Sequence, residues 1–187
     1  MSYPFKFDLG KTIQAVGVLL EPEHGRRMAY IRVLKLLYIA DRESLKETHR
    51  PITGDNPIAM KNGPLLEGTY KLIRGLHLAF PQWSKFFQKE HYQIAMLENP
   101  GVDRLAPYDI EKLQEVARRY EDLDDWELVD LVHEFEEWKK NVRGTSSSHI
   151  PLEDIMTGVG CADATADALA EAAEDDAADR LFGSLTQ

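Results

Sequence analysis

Several polar side chains that could carry out chemistry lie in one proline- and glycine-rich stretch, RPITGDNPIAMKNGPLLEGTY. Thr53, Asp55 and Lys61 lie within it, and Asp41 and His133 lie elsewhere in the chain. A hydroxyl, a carboxylate and an imidazole that meet in the fold would suit acid–base or nucleophilic catalysis. An enzyme built on this chain would therefore use Asp41, His133 and Thr53.

The spacing of these residues argues against catalysis. The segment TGDNPIAMKNG lacks the glycine spacing of a nucleotide phosphate loop. In HEFEEW, carboxylates follow His133 at positions i+1, i+3 and i+4, and the second histidine of a zinc-binding helix is missing. We therefore expect a protein that is not an enzyme, with no catalytic residue, no metal site and no cofactor.

The same stretch is well suited to form a rigid corner. Gly54 can adopt a positive φ, and the carboxylate of Asp55 can accept backbone N–H bonds in the turn. The Asn-Gly pair that ends at Gly63 is typical of a turn, and Pro64 suits the first position of a helix. Asp41, on the preceding helix, could fix the corner by hydrogen bonds. The residue types thus favour a structural role.

Other side chains of the stretch are not needed by the turn and are candidates for partner binding. These are Ile58, Met60, Lys61 and Asn62. A loop that prolines hold rigid loses little conformational entropy when it docks, and methionine adapts to varied surfaces. We therefore expect the turn residues to build the corner and these neighbours to contact a protein partner.

Most of the net charge lies near the C-terminus. The formal net charge is −10, and residues 151–187 hold nine acidic residues against a single basic one, Arg180. The remaining body is therefore close to neutral. Because proteins bind nucleic acids through lysine and arginine, this balance disfavours direct nucleic-acid binding and permits a basic protein partner.

The single cysteine, Cys161, excludes an intramolecular disulfide framework and fits a reducing compartment. The start MSYPFKFDLGK lacks the pattern of a signal peptide. No apolar run approaches the ~20 residues that a membrane helix needs. We expect a cytoplasmic protein with no membrane contact.

The periodicity of the apolar residues predicts a mainly α fold. A helix from about Arg26 to Glu47 is expected at the centre, because its segment Val33–Ala40 is apolar on nearly every side. Four further helices are predicted, after Asp8, Pro64, Pro107 and Asp124. The expected body is thus a compact helical domain of about five helices around the central buried helix, with one small β-hairpin.

The hairpin is expected where the apolar period changes. Residues 92–96 alternate between polar and apolar, ENPG marks a turn, and residues 102–105 would be the return strand. The last helix has the spacing of a capping box between Asp124 and Glu127, and it is expected to continue to Trp138.

The chain is predicted to contain a body, residues 1–157, and an acidic, alanine-rich tail, residues 158–187. Alanine favours helix, but the apolar stripe of the tail is thin. Residues 161–182 are therefore expected to form a helix that is weak alone and ordered when docked on the body or on a partner.

Several motifs in this order resemble one family. The segments KLLYIAD and PITGD, the Gly63-Pro64 pair and the H…W of HEFEEW are similar to the Panacea domain, also called the SocA-like antitoxin domain. The resemblance covers about residues 5–155, and the acidic tail lies outside it. Leu65 replaces a valine that is frequent in that family. The residues that correspond to the family motif, and that we expect to form its scaffold, are Lys35, Tyr38, Asp41, Arg42, Pro51, Thr53, Gly54, Asp55, Gly63, Pro64, His133 and Trp138.

The resemblance implies an antitoxin of a type II-like toxin–antitoxin pair, bacterial or prophage-associated. Such a protein neutralises a cognate toxin, encoded nearby, by direct protein–protein binding. An alternative is a proteolytic adaptor or regulator that delivers or modulates a partner, which would then also meet a protease or chaperone. An uncharacterised enzyme is the third interpretation.

Overall fold

The computed structural model describes residues 3–21 and 25–185, and the described chain is mainly helical, as the sequence predicts. The helices are α1 (Leu9–Leu20), α2 (Tyr30–Thr48), α3 (Glu67–Ile73), α4 (Phe80–Trp83), α5 (Pro107–Arg119), α6 (Asp125–His133), α7 (Glu136–Asn141), α8 (Leu152–Gly158), a 3-10 turn (Ala162–Ala164) and α9 (Thr165–Leu185). The strands are β1 (Arg27–Ala29), β2 (Pro57–Met60), β3 (Gly63–Leu66), β4 (Phe87–Glu90), β5 (Gln93–Met96) and β6 (Ser148–His149).

Helix α2 forms the centre of the core, which confirms its predicted position. All of Val33–Ala40 is buried, and the helix contacts α1, α5, α6 and β3. It begins at Tyr30 and not near Arg26, because the preceding residues pair with β5 as strand β1. It ends at Thr48, because the next residue, His49, adopts a left-handed conformation with a φ of 62°.

Shortening a core side chain of the central helix should destabilise the fold. Leu37 is completely buried, so Leu37→Ala is expected to lower the free energy of unfolding by about 3 kcal/mol. Leu76→Ala is the matched control, since 70% of Leu76 is exposed, and its effect should stay below about 0.5 kcal/mol. Urea titrations measure both values. Equal effects of the two variants would place α2 outside the core.

The described part of the chain contains two three-stranded antiparallel sheets, where one hairpin was expected. Their strand orders are β1-β5-β4 and β3-β2-β6. Strand β5 lies within the predicted segment 92–96, but its partners are β4 and β1.

The expected return strand, residues 102–105, is not a strand because helix α1 binds the backbone of this loop. The amide of Gln14 donates to the carbonyl of Pro100 at 3.2 Å and accepts from the N–H of Arg104 at 2.8 Å. A two-residue turn at His91, with φ 53°, joins β4 to β5 instead. The choice of strand partner thus depends on a side chain almost ninety residues away.

Pro64 does not begin a helix, contrary to the prediction. It lies in β3 opposite Ala59 of β2, and α3 begins only at Glu67. Since β3 is an edge strand, a residue without an N–H is tolerated there. Lys61 and Asn62 form the tip of the β2–β3 hairpin.

The helix that follows Asp124 is shorter than predicted. The capping box is confirmed: Asp124 accepts from the N–H of Glu127 at 2.9 Å, and the Glu127 side chain accepts from the N–H of Asp124 at 2.8 Å. However, Phe135 adopts an extended conformation between α6 and α7. The centroid of its ring lies 4.0 Å from the guanidinium carbon of Arg42. After this break, Glu137 is the buried residue of α7, whereas its neighbour Glu136 is exposed.

The C-terminal part packs on a second, smaller apolar cluster. Ala168 of α9 is buried in this cluster, and Ala172, one turn further along the helix, is also buried. Glu171 forms an ion pair with Arg50 at 2.5 Å. Residues 186–187 of the predicted tail lie outside the described residues. A separate role of the tail stays a prediction. Within the described ranges, no helix combines the length and apolar character that crossing a membrane requires.

Candidate functional site

Asp41 ties the central helix to the corner that follows it. One carboxylate oxygen accepts from the backbone N–H groups of Ile52 and Thr53, at 3.0 and 3.1 Å, and the other accepts from the Thr53 hydroxyl at 2.5 Å. Burial raises the pKa of Asp41 to about 7, and these hydrogen bonds oppose the rise. The hydrogen bonds from Asp41 that the sequence predicts are therefore present.

Asp55 closes the corner by holding the start of α3. Its carboxylate accepts from the N–H groups of Asn56, Gly68 and Thr69 and from the Thr69 hydroxyl. The first N–H groups of a helix lack partners within the helix, so a carboxylate satisfies them and meets the positive end of the helix dipole. Burial raises the pKa of Asp55, and the same hydrogen bonds lower it.

Gly54 lies between these two anchors, in a conformation that favours glycine. Its φ is 64°, and a Cβ at this position would lie 2.1 Å from the carbonyl oxygen of Lys6. The neighbouring carbonyl of Thr53 accepts from the N–H of Asp8 at 2.9 Å. The N-terminal segment thus passes directly over the corner, which begins at the half-buried Pro51.

Lys35 links the central helix to the β2–β3 hairpin. It is 1% exposed, and its Nζ donates to the carbonyl of Pro64 at 2.8 Å. Burial lowers the pKa of this amine to about 7, since the charged form loses its hydration. Gly63 permits the close approach, because a Cβ there would lie 2.7 Å from Val132 and 3.1 Å from the Lys35 amine.

The lowered pKa of Lys35 predicts a pH-dependent stability. Between pH about 7 and the ordinary value of 10.5, the unfolded chain binds a proton at Lys35 that the folded chain lacks. The free energy of unfolding should therefore rise with pH in this window, by up to about 1.4 kcal/mol per pH unit. This gain in stability is lost again as the pH falls towards 7.

Comparison of two variants isolates this contribution. Urea titrations at several pH values from 7 to 9 give the free energy of unfolding as a function of pH. This free energy should rise less steeply with pH for Lys35→Met than for the parent chain. Lys46→Met, which changes an exposed lysine of the same helix, should keep the parental slope. Parallel slopes for the parent and Lys35→Met would contradict the prediction.

His133 and Trp138 pack together against the β2–β3 hairpin. Their rings stack with centroids 4.1 Å apart, and the Trp138 indole donates to the carbonyl of Met60 at 2.9 Å. Burial lowers the pKa of His133, and nearby Lys35 lowers it further. His133 therefore stacks on Trp138 and does not join Asp41 and Thr53, the residues that the enzyme interpretation required.

Glu137 is a buried anchor that sequence reasoning missed. Its side chain is buried, and its carboxylate accepts from the hydroxyl of Tyr38 at 3.1 Å and from Arg42 Nε at 2.5 Å. Arg42 also donates to the carbonyl of Gly158 at 3.0 Å. A glutamate in the acidic run beside Trp138 is ordinarily solvated, so only its pairing with Arg42, 95 residues away, identifies it.

The candidate partner-binding residues differ in accessibility. The expectation for Ile58 is wrong, because β2 is the central strand of its sheet and Ile58 is buried at 6% exposure. Met60 is half-buried, whereas Lys61 and Asn62 are exposed at the hairpin tip. Partner contact by these three residues stays a prediction.

The arrangement is that of a braced scaffold. The carboxylates of Asp41, Asp55 and Glu137 are all engaged by donors of the same chain. In the part of the chain that the structure describes, no group of three or more His, Cys, Asp or Glu side chains is arranged to hold a metal ion.

Comparison with known proteins gives one informative result. The model of the family described as antitoxin SocA-like, Panacea domain, matches residues 33–139. This range contains the corner, the β2–β3 hairpin, and the anchors Lys35, Asp41 and Glu137. Among curated proteins and solved structures, none matches the chain.

Proposed function

The chain belongs to the SocA-like antitoxin family, Panacea domain, and on that premise we propose that it is an antitoxin that neutralises a cognate protein toxin by binding it directly. The toxin would be encoded beside it in a bacterial or prophage genome. The observation that carries the proposal is the family match over residues 33–139, which includes the braced corner and its anchors.

The geometry supports a binding role over a catalytic one. Asp41, Asp55 and Glu137 are 4%, 2% and 1% exposed, and their oxygens are used to hold the chain together. A catalytic acid or base must instead reach a substrate. A scaffold fixed in this way presents a surface that loses little entropy on docking, which favours protein–protein binding.

The cytoplasm is the proposed place of action. Cys161 is a free thiol, which fits a reducing compartment.

A co-expression experiment tests the proposed function. Each open reading frame adjacent to this gene is induced alone and together with the chain. We expect one neighbour to arrest growth alone, to be tolerated with the chain, and to co-purify with it as a stable complex in size-exclusion chromatography. Absence of a toxic neighbour, or rescue without any complex, would refute direct neutralisation.

The amount of toxin separates an antitoxin from an adaptor. A directly neutralising chain should leave the toxin abundant and bound. An adaptor should instead reduce the steady-state amount of toxin, and its rescue should disappear in a host that lacks the relevant protease. Rescue by a chain present at far below the toxin concentration would favour the enzyme interpretation.

A further inference from the structure

A groove beside the edge strand β4 lies in a part of the fold that the corner residues do not use. It has a volume of about 480 Å³ and is lined among others by Arg74, Phe80, Trp83, Phe87, Lys89 and Leu97. We name it the β4 groove. Strand β4 is at the end of its sheet, so among the described strands none pairs with its outer side.

Exposed apolar side chains lie on the β4 groove and in the adjoining loop: Leu97 lines the groove, and Leu76 and Leu78 lie between its lining residues Gly75 and Phe80. Leu78 is 99% exposed, and Leu76 and Leu97 are 70% and 56% exposed. The loop that carries Leu76 and Leu78 is ordered by backbone hydrogen bonds. The N–H of Leu76 donates to the carbonyl of Lys71 at 2.8 Å, and the N–H of Phe80 donates to the carbonyl of His77 at 3.0 Å. Grouped apolar side chains on an ordered surface mark an interaction site more often than isolated ones do.

The charge of the β4 groove is opposite to that of the whole chain. Its charged lining residues are Arg74 and Lys89, and no Asp or Glu is among the described residues that line it. Arg74 donates to the Tyr70 hydroxyl at 2.9 Å, and the amine of Lys89 lies 5.5 Å from the ring of Tyr30. Their charges therefore face aromatic groups and solvent, in a chain whose net charge is −10.

We propose that the β4 groove is the surface that docks onto the toxin, through a segment of the toxin that combines apolar side chains with flanking Asp or Glu. An apolar side chain of that segment occupies the groove beside Phe80 and Leu97, and its carboxylates meet Arg74 and Lys89. Interfaces of this kind join an apolar centre to a charged rim that sets orientation and association rate. This inference rests on the proposed function and names its surface.

A protein segment fits the β4 groove better than a nucleic acid does. Leu76, Leu78 and Leu97 gain from apolar contact, which a phosphate backbone does not offer. Arg74 and Lys89 are too few for the many phosphate contacts that give nucleic-acid affinity at physiological salt.

Charge reversal with a matched control tests the proposal. The probe is the toxin identified in the co-expression experiment, and its Kd is measured by calorimetry at low salt and at ~0.5 M salt. Arg74→Glu combined with Lys89→Glu is expected to weaken binding at least about tenfold at low salt, and the difference should shrink at high salt. The control, Lys46→Glu combined with Arg118→Glu, makes the same charge change at exposed positions elsewhere and should bind within about twofold of the parent.

Replacement of an exposed apolar residue tests the apolar part of the proposed surface. Leu78→Asp should not disturb folding, because its side chain is 99% exposed, and it should weaken toxin binding at least about tenfold. Val102→Asp, at another exposed apolar position, should bind like the parent. Melting temperatures of all variants show whether each is folded.

The outcomes separate this inference from the proposed function. If the parent neutralises the toxin and the Arg74/Lys89 and Leu78 variants bind it equally well, the proposed role of the β4 groove in toxin binding is wrong and the antitoxin function remains. A parent that binds no neighbouring toxin overturns both. Two further results would overturn the proposal. If the parent binds duplex DNA and the Arg74/Lys89 variant does not, the groove binds a nucleic acid. If the parent self-associates and the variant does not, the groove binds a second copy of the chain.

Discussion

Glu137→Ala is expected to lower the free energy of unfolding by about 3–5 kcal/mol, because it leaves a charged partner unpaired in the interior. The Glu137 side chain is fully buried, and it holds Tyr38 and Arg42 of the central helix. After truncation, the Arg42 guanidinium retains the ring of Phe135 and the carbonyl of Gly158, but it loses its counter-ion. Urea titration measures the loss.

Two further variants identify its cause. Glu136→Ala removes the neighbouring glutamate, which is 74% exposed and pairs with Lys139, itself 41% exposed. This variant should leave the free energy of unfolding nearly unchanged. Glu137→Gln keeps the volume and one acceptor but removes the charge, so an intermediate loss is expected. If Glu137→Ala and Glu136→Ala behave alike, the buried ion pair does not brace α7 against α2.

Gly54→Val is expected to lower the free energy of unfolding by more than about 4 kcal/mol or to prevent folding. A β-branched residue resists a φ of 64°, and its Cβ would lie 2.1 Å from the Lys6 carbonyl oxygen and 2.9 Å from its carbon. These are backbone atoms, so they cannot move aside as a flexible side chain could. The N-terminal segment would have to leave the corner.

Gly144→Val separates strain from collision. Gly144 has a similar φ of 58°, but no atom of the described residues lies within 4 Å of its ideal Cβ. The loss in free energy of unfolding for Gly144→Val should therefore reflect backbone strain alone, about 1–2 kcal/mol. The additional loss for Gly54→Val then measures the steric clash with Lys6. A Gly54→Val chain that melts like the parent yet fails to neutralise the toxin would show that the corner is an interface and not a scaffold.

The features that sequence predicted correctly depend on residues close together in the chain. Asp124 and Glu127 form their capping box three residues apart, and α5 begins at Pro107 as expected. The link from Asp41 to Thr53 spans only twelve residues, so the corner could be inferred from the order of its residues. The burial of Val33–Ala40 followed from apolar composition on every side of the helix.

The errors concern residues whose environment is set from far away. Pro64 is the exception: it suits a helix start, but the hairpin that pairs it with nearby Ala59 places it in a strand. Ile58 seemed free to meet a partner, but the β-sheet buries it. Glu137 looks solvated within its acidic run until the break at Phe135 turns it towards Arg42.

By itself, therefore, the sequence determined the helical class, the central helix, the caps and the rigid corner, because short-range sterics, hydrogen bonding and apolar periodicity act within a few residues. The tertiary structure alone decided which strands pair, that Arg42 pairs with Glu137 across 95 residues, and that Leu78 remains in solvent beside the β4 groove. Each of these depends on which distant segments become neighbours. A strand satisfies its backbone groups with whichever partner the packing of helices brings alongside, and a buried charge is stable only where that packing supplies its counter-ion.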